Sequence, residues 1–366
     1  MKPSDPRIAK FSALLSDLIS TGTLPCAGIS FSKNTMQTAQ ILCAESFPYY
    51  KSVSKTSQFA LHSLSKAFTS ICAQRLVERG VFKWETPVGE VLLGWIDDSN
   101  TQTTLYHLAS HTAGLTYGGN TNNFGREYLK AGFNKTAPIG LHGTALYQTI
   151  SLLPKLYKPG DGWSYSLATD VLGWVLEEIT GKPLVDLVNI EVCQPLGIPP
   201  ISSTNAHSTQ NPVIPVMNKT ANGDFVFAKN VMADWGNQTN PSSGGGGFVG
   251  NLMQVHSLAE AFTKRSKQLL SDASWNMLVT NHIPHNGDIS NAIGSKIKGR
   301  RKVGVGFGFG VATDHRNGEV SWEGAGGCMF ISNIVRGESL AFVSNTIPIH
   351  STKVWYLLRE ILYDFN

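Results

Sequence analysis

The sequence carries little charge. Only 15% of its 366 residues are Asp, Glu, Lys or Arg, and the formal net charge is +4. A nucleic-acid binder needs a basic stripe, interleaved with aromatics where single strands are read, and no such stripe is present. No apolar run approaches the ~20 residues that cross a bilayer. Residues 1–20 carry Asp5, Arg7, Lys10 and Asp17 and no continuous apolar stretch, which does not fit a secretory leader. Cysteine is also scarce. Cys26, Cys43, Cys72, Cys193 and Cys328 are odd in number and none makes a close pair. They read as buried thiols in a reducing compartment, not as a disulfide framework or a zinc site. These absences lead us to expect a cytoplasmic protein. A G-x-S-x-G elbow is missing too, because Gly162-Trp163-Ser164-Tyr165-Ser166 fails at its last position. That removes the usual α/β-hydrolase reading.

What is present is an ordinary globular pattern, with 42% hydrophobic residues and enough length for a large core. Ile8, Phe11, Leu14, Leu15 and Leu18 mark an amphipathic helix. Ala27 to Phe31 and Thr38 to Ala44 alternate like strands, joined by a turn at Lys33-Asn34. Helical patterning fills the middle, at Thr144 to Leu153, Ala168 to Thr180, Asn251 to Arg265 and Asp272 to Thr280. Short β-rich segments return at Val303 to Thr313, Val320 to Trp322, Met329 to Asn333 and Leu340 to Asn345. An apolar helix, Val354 to Tyr363, closes the sequence. The pattern predicts an α+β fold: one antiparallel sheet built from both ends of the sequence, flanked by the terminal helices, with a mainly helical lobe inserted. We expect residues 1–82 and 285–366 in the α/β lobe and residues 83–284 in the helical lobe. Together they form one domain, with a site in the cleft between lobes.

The spacing S-x-x-K occurs four times, at Ser30, Ser52, Ser63 and Ser295. Ser30 lies in a strand pattern, Ser52 in a polar stretch and Ser295 in a Gly- and Lys-rich loop. Only Ser63 opens a helical run, through Leu64, Phe68, Ile71, Cys72 and Leu76 to a stop at Gly80. There Ser63 and Lys66 fall one turn apart on one face, near orphan backbone N–H groups and the positive end of the helix dipole. A hydroxyl, an amine and an anion-holding amide in one place are the parts of a serine acyl-transfer site that needs no histidine. The plain alternative is a serine that caps the helix.

Further segments fall in a set order. Leu105-Tyr106-His107-Leu108-Ala109-Ser110-His111-Thr112-Ala113-Gly114-Leu115 resembles the L-L-x-H-T-S-G-L segment of the serine β-lactamase-like family. Lys158-Pro159-Gly160 with Tyr165-Ser166-Leu167 through Gly173 resembles its P-G…Y-S-N…L-G segment. Glu178 to Pro183, Pro195 to Ile198, Gly245-Gly246-Gly247-Phe248 and Trp322-Glu323-Gly324 fit its remaining pieces. The sequence is identified as similar to class C β-lactamases, penicillin-binding proteins, family VIII carboxylesterases and related transacylases. The resemblance implies Ser63 as nucleophile, Lys66 as base or proton relay and Tyr165 as the second proton-transfer group. It implies an oxyanion hole from the backbone N–H groups of Ser63 and Ala325, and substrate contacts from Leu167, Trp322, Glu323, Gly324 and Gly246. No cofactor and no metal are implied.

The departures sharpen the reading. Leu167 stands where lactamases place Asn, and Trp322 stands where they place the Lys of K-T-G. Losing those polar groups removes the charge that would pair with a penicillin carboxylate and favours an uncharged, apolar acyl group. The implied activity is a carboxylesterase on small, fairly apolar esters. The alternative is an acyltransferase that moves an acyl group from a thioester or ester donor to an alcohol or amine. β-Lactamase, D-amino-acid peptidase and non-catalytic binding roles rank below these. The basic cluster Lys296, Lys298, Arg300, Arg301 and Lys302 reads as a solvated loop, or as a contact for a coenzyme A or carrier-protein arm. Two motifs are decoys. Gly245 to Gly250 satisfies G-x-G-x-x-G but follows a loop, not a strand. His107 and His111 are four apart without a third ligand, so they read as structural turn residues and not as a metal site.

Overall fold

A computed structural model describes residues 5–34, 36–48, 51, 53–98, 101–118, 123–204, 213–228, 240–291 and 304–363. Helix α1 (Arg7–Ser20) leads into a hairpin of β1 (Cys26–Lys33) and β2 (Met36–Cys43). Asn34 turns the hairpin at φ 55°, a left-handed conformation that Asn tolerates better than most residues. A short β3 (Phe59–Ala60) precedes α2 (Ser65–Glu78). The middle of the sequence holds α3 (Leu105–Ala109), α4 (Asn123–Lys130), α5 (Gly143–Leu152), α6 (Ala168–Thr180), α7 (Leu184–Val188) and α8 (Gln194–Leu196). Strands β4 (Ser202–Ser203), β5 (Met217–Lys219), β6 (Phe225–Phe227) and β7 (Phe248–Gly250) come next, followed by α9 (Leu252–Lys264) and α10 (Asp272–Val279). The last part supplies β8 (Gly306–Phe307), β9 (Ala312–Asp314), β10 (Glu319–Glu323), β11 (Met329–Asn333), β12 (Glu338–Ser344), β13 (Thr346–Ile347) and α11 (Val354–Tyr363).

The main sheet runs in the order β2-β1-β12-β11-β10-β9-β8, antiparallel throughout. Strands from both ends of the sequence therefore meet at the β1–β12 pair. Alternation assigns the faces. Ile29, Phe31, Met329, Ile331, Leu340 and Phe342 pack with Phe11, Leu15 and Leu18 of α1 and Leu358 and Leu362 of α11. Phe330, Ala341 and Val343 point the other way and join Leu258 and Phe262 of α9 and the helical core. Both faces are covered, so the strands are apolar on both sides. No helix among the described residues is long and apolar enough to cross a membrane.

Two expectations change. The β1–β2 register sets Cys26 opposite Cys43, and the two form a disulfide. Only Cys72, Cys193 and Cys328 are free thiols, so the cysteine argument for a reducing compartment falls. The stretch expected as one strand from Val303 to Thr313 is instead β8, a turn and β9. Gly310 sits at φ 72°, and a Cβ there would lie 2.6 Å from the Lys66 carbonyl oxygen. The turn gives up sheet pairing so that the backbone can approach α2.

His256 on α9 is buried beneath the sheet, with Nε2 3.0 Å from Ser32 Oγ. Burial pushes its pKa down to about 4. His62 is pushed down to about 4 and His111 well below the usual range, again chiefly by burial. Between pH 6.5 and 4 the unfolded chain thus binds protons at these histidines that the folded chain does not. Stability should fall with acidification over that window, by ~1.4 kcal/mol per pH unit for each such histidine. Asp170 and Glu177, raised by burial, act in the opposite sense. Urea midpoints at pH 7 and pH 5 check this: the midpoint should drop, and His256→Gln should flatten the drop. An unchanged slope in that variant would contradict it.

Candidate active site

Ser63 lies in a single 3-10 turn, His62–Leu64, that runs straight into α2. Leu64 is the cap residue of α2, and no side chain caps the helix. Ser63 is therefore not a capping serine, and its hydroxyl has no hydrogen-bond partner among the described residues. The turn opens with His62 at φ 47°. Such a conformation is uncommon for a residue with a side chain and accumulates at functional sites.

Three side chains of α2 hold the loop that follows Ser243. Ser65 Oγ accepts from Phe248 N (3.1 Å), Thr69 Oγ1 donates to Gly244 O (2.8 Å) and Lys66 Nζ donates to Gly245 O (2.7 Å). The glycines permit this approach. A Cβ on Gly244 would meet the Thr169 carbonyl oxygen at 2.6 Å, and one on Gly245 the Asp170 carboxylate at 2.4 Å. Gly246 alone has room, its nearest neighbours being Ser243 Oγ and the His62 backbone at 3.7–3.8 Å.

Lys66 is wholly buried. Besides Gly245 O, its ammonium donates to Tyr117 Oη at 3.1 Å, and it lies 4.8 Å from the centre of the Tyr165 ring. The Tyr117 and Tyr165 rings are 5.6 Å apart. Burial first, then the Tyr165 phenol and the Asp170 carboxylate, push the Tyr117 hydroxyl well above the usual phenol range, so it keeps its proton. Asp170, in the first turn of α6, is buried; its Oδ1 accepts from Ser243 Oγ and Gly245 N. Burial raises its pKa, and the Lys66 charge opposes that shift. A buried carboxylate and a buried ammonium thus face each other across the glycine loop.

The second wall is the turn after β10. A Cβ on Gly324 would sit 2.1 Å from the Leu61 carbonyl oxygen, and one on Gly326 would sit 2.7 Å from the His62 ring. Ala325, between them, is thereby brought beside the turn that carries Ser63. Neither Ser63 N nor Ala325 N enters a backbone hydrogen bond among the described residues. Trp322 is 2% exposed and packs on Tyr165 (5.3 Å) and Phe307 (5.1 Å). Leu167 is fully buried at the start of α6, where it belongs to the main hydrophobic core. Glu323 is half-buried at the end of β10. Lys296, Lys298, Arg300, Arg301 and Lys302 lie outside the described residues.

The structure thus sets Lys66 against Tyr165, Tyr165 against Trp322, and the turn after β10 against the residues that precede Ser63. Sequence reasoning missed Tyr117 and gave Asp170 no role. Asp170 had a visible signal: it is an acid at the head of a helix whose buried face is Val171, Leu172, Val175 and Leu176. Tyr117 had none.

The profile of the beta-lactamase family matches residues 42–360. The chain belongs to the beta-lactamase family. Within that family it is 37% identical over 147 residues to esterase EstB of Burkholderia gladioli, covering 38% of this chain and 37% of the esterase. It is 30% identical over 155 residues to the monacolin J acid methylbutanoyltransferase of Aspergillus terreus, covering 38% of this chain and 36% of that protein. The matched stretch thus spans little more than a third of the curated relatives. Solved structures share the fold over the whole chain. EstCE1, a hydrolase with promiscuous acyltransferase activity, has a TM-score of 0.81 at 22% identity and covers 98% of both chains. A LovD6 mutant of simvastatin synthase from Aspergillus terreus has a TM-score of 0.79 at 16% identity, covering 99% of this chain and 98% of that one.

Proposed function

We propose that this member of the beta-lactamase family is a serine hydrolase of small, fairly apolar carboxylic esters, working through an acyl-enzyme on Ser63. The observation that carries the reading is the buried Lys66 ammonium between the Tyr117 and Tyr165 phenols, one helical turn from Ser63. In this scheme the Lys66–Tyr165 pair enters the step one proton short, as amine and phenol or as ammonium and phenolate, and takes the proton from Ser63 Oγ as it attacks the ester carbonyl. The tetrahedral oxyanion is held by the N–H groups of Ser63 and Ala325, which oppose charge on the oxygen more strongly than they hold the flat carbonyl. Collapse breaks the bond to the alkoxy oxygen, which leaves as the alcohol with the proton returned from Tyr165. Water then attacks the acyl-enzyme by the same route and frees the acid and the serine. The strand position of Trp322 carries a buried aromatic side chain and no cation, which suits an uncharged acyl group.

Transfer of the acyl group to an alcohol or amine is the second reading, favoured by similarity to relatives of both kinds. A thioester donor would bring a coenzyme A or carrier-protein arm to Lys296–Lys302. Chemistry up to the acyl-enzyme is shared, so partitioning decides between the two. Purified protein given p-nitrophenyl butyrate should release a burst of p-nitrophenol. With methanol or butanol added, an esterase should still yield mostly butyrate, and an acyltransferase mostly the new ester. No turnover of activated esters at all would contradict both.

A further inference from the structure

His111 lies outside the reaction scheme but is bound closely to one of its members. It is 1% exposed and holds a left-handed backbone at φ 59°. Its carbonyl oxygen accepts from Ser164 N at 3.1 Å, and its Nδ1 accepts from Ser166 N at 3.1 Å. These are the residues on either side of Tyr165. Its ring stacks on the Tyr165 ring, with centroids 5.3 Å apart and planes 22° apart. Because Nδ1 accepts a backbone N–H, the proton of the neutral ring sits on Nε2, which faces Thr169 Oγ1 at 3.0 Å. The far edge of the imidazole is fixed by Phe307, edge-on at 5.2 Å. Burial and the Lys66 charge both keep the ring neutral, which preserves the Ser166 bond.

We infer that His111 is the positioning residue for the Tyr165 phenol: its main-chain carbonyl holds Ser164 N before the tyrosine, and its neutral imidazole holds Ser166 N after it and sets the plane of the Tyr165 ring above the Lys66 ammonium. His111 takes no proton from the substrate and touches no reacting atom. It acts through Tyr165 alone, so the inference rests on the role proposed for that phenol. A phenol displaced by about 1 Å from its proton partner loses on the order of 10²-fold in rate.

The test is a double-mutant cycle on kcat. His111→Gly removes the ring without straining the left-handed backbone. It should lower kcat about 10²-fold with KM nearly unchanged, while His111→Asn, which restores an acceptor for Ser166 N, should recover about tenfold of that loss. In a Tyr165→Phe background, His111→Gly should change kcat less than twofold, because no hydroxyl remains to be placed. A merely structural histidine would lower kcat by the same factor in both backgrounds, and that result overturns the inference while leaving the reaction scheme intact. Tyr165→Phe at the wild-type rate overturns the role of the phenol, and the inference with it. If His111→Gly does not fold, Thr169→Val carries the same cycle. It removes the acceptor of Nε2, and its severalfold loss of kcat should vanish in the Tyr165→Phe background; an equal loss in both backgrounds overturns the inference.

Discussion

Ser63→Ala should reduce ester turnover by on the order of 10⁴-fold or more and abolish the p-nitrophenol burst. The nucleophile and its proton acceptors act as one unit, so removing the oxygen disables the whole of it. What remains is the background from binding and the two amide donors. The same change should leave stability nearly untouched. Ser63 is partly exposed, caps no helix, and its hydroxyl bonds to nothing else among the described residues. Thermal denaturation should therefore overlay that of the wild type. Ser65→Ala is the informative control. Ser65 is buried and its Oγ accepts from Phe248 N, so its loss should lower stability and disturb the glycine loop without removing the burst. A Ser63→Ala protein that keeps even a tenth of wild-type kcat would remove the nucleophile from the account.

The second large effect separates the two phenols beside Lys66. Tyr165→Phe keeps the ring that packs on His111 and Trp322 and deletes only the hydroxyl. If that hydroxyl carries the proton between Ser63 and the leaving alcohol, kcat should fall about 10²- to 10⁴-fold with the melting temperature unchanged. Tyr117→Phe deletes an acceptor of the Lys66 ammonium, but Gly245 O still holds Nζ at 2.7 Å. One hydrogen bond to a charged group is worth ~1.5 kcal/mol, so the loss should be about tenfold. Steady-state kinetics on both variants checks the order. If Tyr117→Phe is the more damaging, the proton-transfer role belongs to Tyr117.

The parts of the fold legible in the sequence were those written in local periodicity. The face of α1, the Lys33-Asn34 turn of the hairpin and the glycine stop of α6 at Gly181 all appear as local signals. What stayed hidden depends on contacts between distant segments. Cys26 and Cys43 meet through strand register, and nothing in a separation of 17 residues announces it. The break at Gly310 follows from the nearness of Lys66, not from the residues around it. Helix α9 reads as a helix from the patterning of Asn251 to Arg265, yet its own sequence does not say that it lies against the main sheet. The site divides in the same way. Ser63 and Lys66 are one turn apart and stand out by spacing. Tyr165 and the Trp322–Ala325 strand end entered only through resemblance to a known family. Tyr117 is a lone tyrosine after a turn, and only the fold brings it to 3.1 Å from Lys66 Nζ.

The most direct measurement is to trap the acyl-enzyme. The protein is mixed with p-nitrophenyl butyrate, quenched in acid within the burst, digested and mapped by tandem mass spectrometry. The account predicts a butyryl group on Ser63, absent from Ser63→Ala and accumulating in Tyr165→Phe if water attack is slowed more than acylation. A butyryl group on Ser65 or another residue, with Ser63 unmodified throughout the burst, would contradict it.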